Sequence, residues 1–313
     1  MLDLMCVGMA LVDSIIRGFD PQPVSAAGYR ARSGSLNVGG EAVNEAVAAA
    51  RLGLKTGILC RLGQDTAGEM VLAALAGAGV RTERVIREGE TPVTTMFVLE
   101  DGTRQSITNE AHRLNFHPER RPDLFTDARA LMLGSLFRAP FDDPAIIYAV
   151  VRAAKEAGQI VFADTKLPNF RFLGLKDVQD ALPLMDYLTP NEDEARHFTG
   201  KTTPDEMADV FLEHGVQHVI VKLGAKGCLL KSANGRLRLP AYPIRAVDTT
   251  GAGDNFLAGF ASRILCGETA EDALRFANAC GAICSTAVGA ATALKDSAQV
   301  LDWMRRMEDQ PPA

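Results

Sequence analysis

The stretch Asp248-Thr-Thr-Gly-Ala-Gly-Asp254-Asn-Phe-Leu-Ala-Gly-Phe260 carries the residue types best suited to chemistry. Small residues lead into an apolar run that predicts a helix starting near Asp254. Backbone N–H groups of Gly251, Ala252 and Gly253 would then point outward with the positive end of the helix dipole behind them, and glycine lets a bulky anion approach closely. A carboxylate beside such an anion nest is electrostatically unfavourable unless it meets a proton there, as a general base does. The same aspartate also suits a plain helix N-cap, and residue type alone leaves both readings open. The loop lacks the Gly-Lys-Ser/Thr ending of a Walker motif. No Gly-x-Gly-x-x-Gly follows the first strand, so a dinucleotide dehydrogenase loses its main support.

Two shorter stretches could hold ligands. Gly39-Gly40-Glu-Ala-Val-Asn44 sets paired glycines ahead of a helix with Asn44 in its opening turns. The glycines permit close backbone contact, and the amide offers both a donor and an acceptor, as a polyol requires; a glycine turn with a solvated asparagine is the plain alternative. Thr189-Pro-Asn191-Glu192-Asp-Glu194 follows the apolar Met185–Leu188 and reads as a strand end entering a helix, with Asn191 as N-cap. Capping explains these types completely. A place at the carboxyl end of a strand would equally bring Asn191 and Glu192 near Mg2+ and phosphate.

Strands are predicted at 4–7, 56–60, 130–133, 160–163 and 218–222, and helices at 41–52, 67–76, near 142–157, 192–198 and 205–214. Their alternation predicts an α/β fold with a mainly parallel central sheet covered on both faces. Val93–Leu99 and Thr103–Thr108 are β-branched and aromatic-rich and flank Glu100-Asp101-Gly102, a hairpin signal. Residues 12–37 also read as strands and loops. These strands, drawn from about 12–37 and 91–110, are assigned to a small β lid on a single domain spanning 1–313. The last residues, Gln310-Pro-Pro-Ala313, read as a frayed end.

Apolar residues at 47% and charged residues at 23% are ordinary for a soluble globular protein. A net charge of −6 provides no basic surplus for a nucleic-acid backbone, while helix termini bind small anions without one. The N-terminus carries an acid and no basic leader, and no run approaches the ~20 apolar residues of a membrane helix, so the cytoplasm is expected. The six cysteines form no Cys-x-x-Cys pair. Cys280 and Cys284, one helical turn apart, read as buried thiols. His214 and His218, separated by Gly215-Val216 and Gln217, read as surface loop residues.

Taken together, the motifs resemble the ribokinase-like carbohydrate kinases, the PfkB family. Gly39-Gly40, Ala42, Asn44, Ala46, Gly53 and Gly63 match its N-terminal signature, and Asp248 to Asp254 with Ala258-Gly259 its C-terminal one. The resemblance implies a three-layer sandwich with a β lid over the sugar, and a homodimer formed through that lid. It implies a sugar pocket of Asp13, Gly39, Gly40 and Asn44, and a nucleotide side at Asn191, Lys222, Gly224 and Gly227, with Asn278 lining an adenine pocket. Mg2+ would be held through water by Glu192. Potassium would sit near Asp248, Thr250 and Gly289, although Ala293 stands where relatives often have serine. Asp164-Thr-Lys-Leu-Pro-Asn169 departs from the common Asp-Pro-Asn, which leaves Lys166 either as a phosphate contact or as a surface lysine. Gly134-Ser-Leu-Phe137 is similar to fructokinases more than to ribokinases.

The implied reaction is ATP-dependent phosphorylation of a hydroxymethyl group of a small sugar. Asp254 would take the hydroxyl proton, and the N–H groups of Gly251, Ala252 and Gly253 would hold the transferring oxygens. A nucleoside kinase, or a non-catalytic sugar-sensing protein on the same fold, are the alternatives.

Overall fold

Along the first strand, Leu4 and Cys6 enter one hydrophobic core while Met5 and Val7 enter another. A strand shows alternate residues to opposite faces, so an unbroken apolar run needs cover on both sides. In the computed structural model, which describes residues 1–18, 31–99, 103–109 and 116–308, the rest of the chain supplies that cover. The expected Asp101-Gly102 turn, residues 19–30 and 110 of the expected lid, and the Gln310–Ala313 end lie outside the described residues.

The chain runs β1 (Leu2–Val7), β2 (Leu11–Arg17), β3 (Ser33–Gly39), α1 (Glu41–Arg51), β4 (Thr56–Leu59), β5 (Arg61–Leu62), α2 (Thr66–Gly77), β6 (Ile86–Arg87), β7 (Val93–Val98) and β8 (Arg104–Thr108). It continues through β9 (Ala128–Leu136), α3 (Pro144–Glu156), β10 (Ile160–Thr165), β11 (Tyr187–Leu188), α4 (Glu192–Thr199), α5 (Pro204–Glu213), β12 (His218–Lys222), β13 (Cys228–Ser232) and β14 (Gly235–Leu239). Helices α6 (Ala252–Leu265), α7 (Ala270–Cys284) and α8 (Ser297–Glu308) complete it.

The central sheet has eight strands in the order β14-β13-β12-β11-β10-β9-β1-β4. From β12 to β4 all neighbours are parallel, and β13 and β14 add an antiparallel edge. One core packs α1, α2, α6, α7 and α8 on one face, and the other packs α3, α4 and α5 on the opposite face. This is the three-layer α/β sandwich that the alternation predicts. The chain leaves β1 in both directions, to β4 on one side and β9 on the other. That reversal is a topological switch point, where open α/β sheets bind ligands at the carboxyl ends of their strands. A second sheet, ordered β3-β2-β7-β8, is built from the segments expected to form extra strands. In it β2 pairs antiparallel with β3 and parallel with β7, and β7 pairs antiparallel with β8.

One smaller expectation is corrected, and the reading of Cys280 and Cys284 as buried thiols holds. His218 is no loop residue: it opens β12 and stacks on Tyr187 with ring centroids 4.6 Å apart. Of the cysteines, Cys266 is exposed, just past the end of α6, whereas the other five are buried.

Candidate active site

Helix α6 begins at Ala252, with Gly251 as its N-cap at φ 75°. Only glycine fits there: a Cβ would lie 2.3 Å from the Ala290 Cβ, and the left-handed region disfavours a side chain. Among the described residues, the N–H groups of Gly251 and Gly253 have no hydrogen-bond partner, whereas that of Ala252 is donated to the Thr249 carbonyl at 3.2 Å. The expected nest of three amides is thus reduced to two flanking groups. Asp254 is the third residue of the helix rather than its cap. Its carboxylate, 4% exposed, accepts a 2.7 Å hydrogen bond from Asn44 Nδ2 across 210 residues of sequence. Asn44 Oδ1 is left buried without a partner among the described residues.

A cavity of about 640 Å³ opens in front of this helix. Its lining includes Gly251, Ala252, Gly253, Asp254, Asn191, Lys222, Gly224, Gly227 and Asn278, so the nucleotide-side residues named from sequence come together here. Lys222, at the end of β12, donates to both oxygens of Asp164 at 2.7 and 2.8 Å. Its ammonium also lies 3.0 Å from where a Gly253 Cβ would stand, which sets a cation against the amide nest. Asp164 falls where the β9–β10 register shifts, an irregularity of the kind that re-aims a side chain beside a site. Gly227, at φ 91°, leaves no room for a Cβ, which would meet the Leu239 carbonyl. Asn278 donates to the Pro240 carbonyl at 3.2 Å.

Glu192 does not face this cavity. It pairs instead with Arg196 at 3.2 Å and with Lys226 at 3.3 Å. The carboxylate that lines the cavity is Glu194, two residues on. It closes a capping box with Asn191 and accepts from Thr165 Oγ1 at 2.8 Å. Burial, followed by the nearby Asp164 charge, raises its pKa. The acidic run offered three carboxylates, and helix phase selected among them.

Lys166 also lines the cavity instead of facing solvent freely. It pairs with Glu41 at 3.5 Å. Burial works to lower its pKa, but Glu41, Asp254, Asp164 and Glu194 more than offset that, so its charge is firmly held. The Asp254 pKa is raised, above all by burial, against the opposing pull of Lys166 and the Asn44 hydrogen bond.

Asp13, Gly39, Gly40 and Asn44 do not line this cavity; Asn44 joins it through the bond to Asp254. Asp13 projects from β2 against the Cα of Gly39, where a Cβ would lie 2.5 Å from its Oδ2. Gly40, at φ 96°, packs against the Met9 carbonyl. Burial, then the charge of Glu41, pushes the Asp13 carboxyl up to about 6. Asp248, Thr250 and Gly289 are brought together as well. Asp248 Oδ1 accepts from the Thr250 N–H at 3.0 Å and its hydroxyl at 2.7 Å, and Oδ2 accepts from the Gly289 N–H at 3.1 Å.

Sequence reasoning missed Glu45 and Glu194 and left Lys166 undecided. Glu45 did leave a signal, an acid inside the apolar run Ala42–Ala50.

The family model described as pfkB family carbohydrate kinase matches residues 1–297. The probable fructokinase-5 of Arabidopsis thaliana is 30% identical over 287 residues, covering 85% of this chain and 88% of that one. The structure of Arabidopsis thaliana ribokinase complexed with ribose and ATP superposes with a TM-score of 0.85 at 27% identity, covering 97% of this chain and 99% of that one. An E. coli ribokinase II in complex with ATP and Mg2+ gives 0.78 at 26% identity, covering 98% and 100%.

Proposed function

The chain belongs to the pfkB family of carbohydrate kinases, and from that premise we propose that it transfers the γ-phosphoryl group of ATP to a hydroxymethyl group of a small sugar, with Asp254 as the base. The observation that carries this reading is the buried Asp254 carboxylate, tethered by Asn44 and set directly behind the unpaired amides that open α6.

The acceptor oxygen loses its proton to Asp254 and bonds to the γ-phosphorus as the bond from that phosphorus to the β,γ-bridging oxygen breaks, releasing ADP. Positioning and charge stabilisation dominate such transfers. The N–H groups of Gly251 and Gly253 and the ammonium of Lys222 converge on one side of the cavity, which suits the transferring oxygens. Lys166 adds a second cation to the cavity lining. Gly224, Gly227 and Asn278 line the part of the cavity suited to the nucleotide. The residues also fit Mg2+, a hard cation that takes oxygen ligands and keeps its waters: Glu194, and not Glu192, offers a carboxylate toward the phosphates. When bound, Mg2+ would neutralise phosphate charge. Asp13 and the Gly39-Gly40 backbone suit the sugar hydroxyls, and the small sheet would shield them from water. A potassium ion would belong to the loop that Asp248 ties to Thr250 and Gly289. Leu36 and Ile107, at 61% and 69% exposure on the small sheet, support pairing of two copies through it, which sedimentation can check.

A coupled ADP-release assay over neutral sugars, sugar acids, sugar phosphates and nucleosides tests the reading. Turnover of a sugar bearing a free hydroxymethyl group is expected. Turnover of nucleosides alone would make the protein a nucleoside kinase, and sugar binding without ADP release would make it a sensor.

A further inference from the structure

Glu45 is fully buried in α1, and neither of its carboxyl oxygens has a hydrogen-bond partner among the described residues. The carboxyl lies against the Cα of Gly134 on β9, where a Cβ would come within 2.9 Å of Oε2. One oxygen each of Glu45, Asp164 and Asp254 lie within 4.8 Å of one another. The site as described so far gives Glu45 no task.

An ion in this position is untenable. A buried carboxylate without donors suffers the full loss of hydration and takes up a proton instead. The charged groups facing it work the same way: Asp254 from α6, Asp164 from β10 and Glu41 from its own helix, while the Cys6 thiol on β1, itself pushed up by burial and then by Glu45, stays neutral. Lys166 opposes them, and the other nearby ammonium, Lys222, is already bound to both Asp164 oxygens. Burial first, then Asp254, Asp164 and Glu41, push the Glu45 pKa well above its ordinary value. Once protonated, Glu45 is an O–H donor with two carboxylates, those of Asp164 and Asp254, within 4.8 Å of it.

We propose that Glu45 is a neutral carboxylic acid whose proton is directed at the Asp254–Asp164 pair, holding Asp254 ionised and oriented to receive the acceptor proton. Glu45 is therefore a positioning residue, and the inference rests on Asp254 being the base. A divalent ion shared by the three carboxylates is the competing account. Against it, both Asp164 oxygens are engaged by Lys222, Asp254 Oδ2 by Asn44, and Glu45 does not line the cavity from which an ion would enter.

Glu45→Gln separates the two, because the amide keeps a donor and removes the ionisable group. If Glu45 acts as a neutral donor, kcat at neutral pH stays within about threefold of wild type. The alkaline limb of kcat/KM, where the shared proton is lost, should move up or vanish while the acid limb of Asp254 stays. The protonated-carboxyl C=O stretch in wild-type infrared spectra at neutral pH should disappear in the variant. A merely structural glutamate would shift neither the limb nor the band. A loss beyond about 100-fold with ATP-analogue binding intact would overturn the proposal in favour of a required negative charge. So would an unchanged alkaline limb. If the variant does not fold, wild-type infrared spectra alone decide, since absence of the band at neutral pH refutes it. That band needs no turnover, so an active Asp254→Asn enzyme that retains it would defeat the base assignment and leave the protonation of Glu45 standing.

Discussion

Replacing Asp254 by asparagine should remove nearly all activity while making the protein harder to unfold. The variant amide has the same shape, and its oxygen can still accept from Asn44 Nδ2, now at 2.7 Å from the carboxylate, so the site's geometry should persist. What is lost is the base, which typically contributes ~10²–10⁴-fold, or about 2.7–5.5 kcal/mol of transition-state stabilisation. Stability moves the other way. The folded-state pKa of Asp254 is raised above the unfolded value, chiefly by burial, so the ionised group destabilises the fold at every pH above its folded pKa. Each unit of such a shift corresponds to ~1.4 kcal/mol, and asparagine escapes the penalty altogether. In a chain of this size each kcal/mol is about 2 °C in melting temperature. The assays are steady-state ADP release with saturating sugar and ATP, and thermal unfolding over a descending pH series, in which the gap between variant and wild type should narrow once Asp254 takes up its proton. Retention of activity within about threefold would refute the base assignment. A melting temperature several degrees lower would refute the account of a strained buried carboxylate.

Other consequences follow from the same geometry. Below pH 6, KM for the sugar should rise as Asp13, with its carboxyl at about 6, loses its charge, and Asp13→Asn should show a raised but pH-independent KM. Because the folded state binds that proton more tightly, stability should also fall as pH climbs from 3.8 to about 6 and then level off, a slope absent from Asp13→Asn in denaturant titrations. Lys222→Met leaves Asp164, whose side chain is 2% exposed, without its cation and should cost about 3–5 kcal/mol in urea unfolding; adding Asp164→Asn should recover most of it. Gly251→Ala forces a side chain into the left-handed region at about 1–2 kcal/mol and against Ala290, which displaces the two free amides. Its kcat should drop about 100-fold, as for one lost oxyanion donor, and a near-normal kcat would remove those amides from the mechanism.

Glycines at 39, 40, 251, 253 and 227 were legible in the sequence because each marks a place where a Cβ would collide with backbone or with a functional side chain. The small sheet was legible through β-branched runs unsuited to helices, and Asn191 through its capping pattern. Glu194 was not, because the run Glu192-Asp-Glu194 presents three equivalent acids until the helix phase points one inward. Lys166 was undecidable for a related reason. A lysine after a strand faces solvent unless other segments supply carboxylates around it, and Glu41, Asp254 and Glu194 arrive from three different helices.

By itself the sequence determined the layered architecture, the glycine-rich start of α6, and the carboxylate at that place, since periodicity, glycine sterics and capping act over a few residues of chain. Tertiary structure alone decided that Asn44 meets Asp254, that Lys222 lies against Gly253, and that Glu45 is sealed beneath them. Those pairings join segments up to 210 residues apart, and charges buried together acquire their protonation states from the neighbours that packing selects.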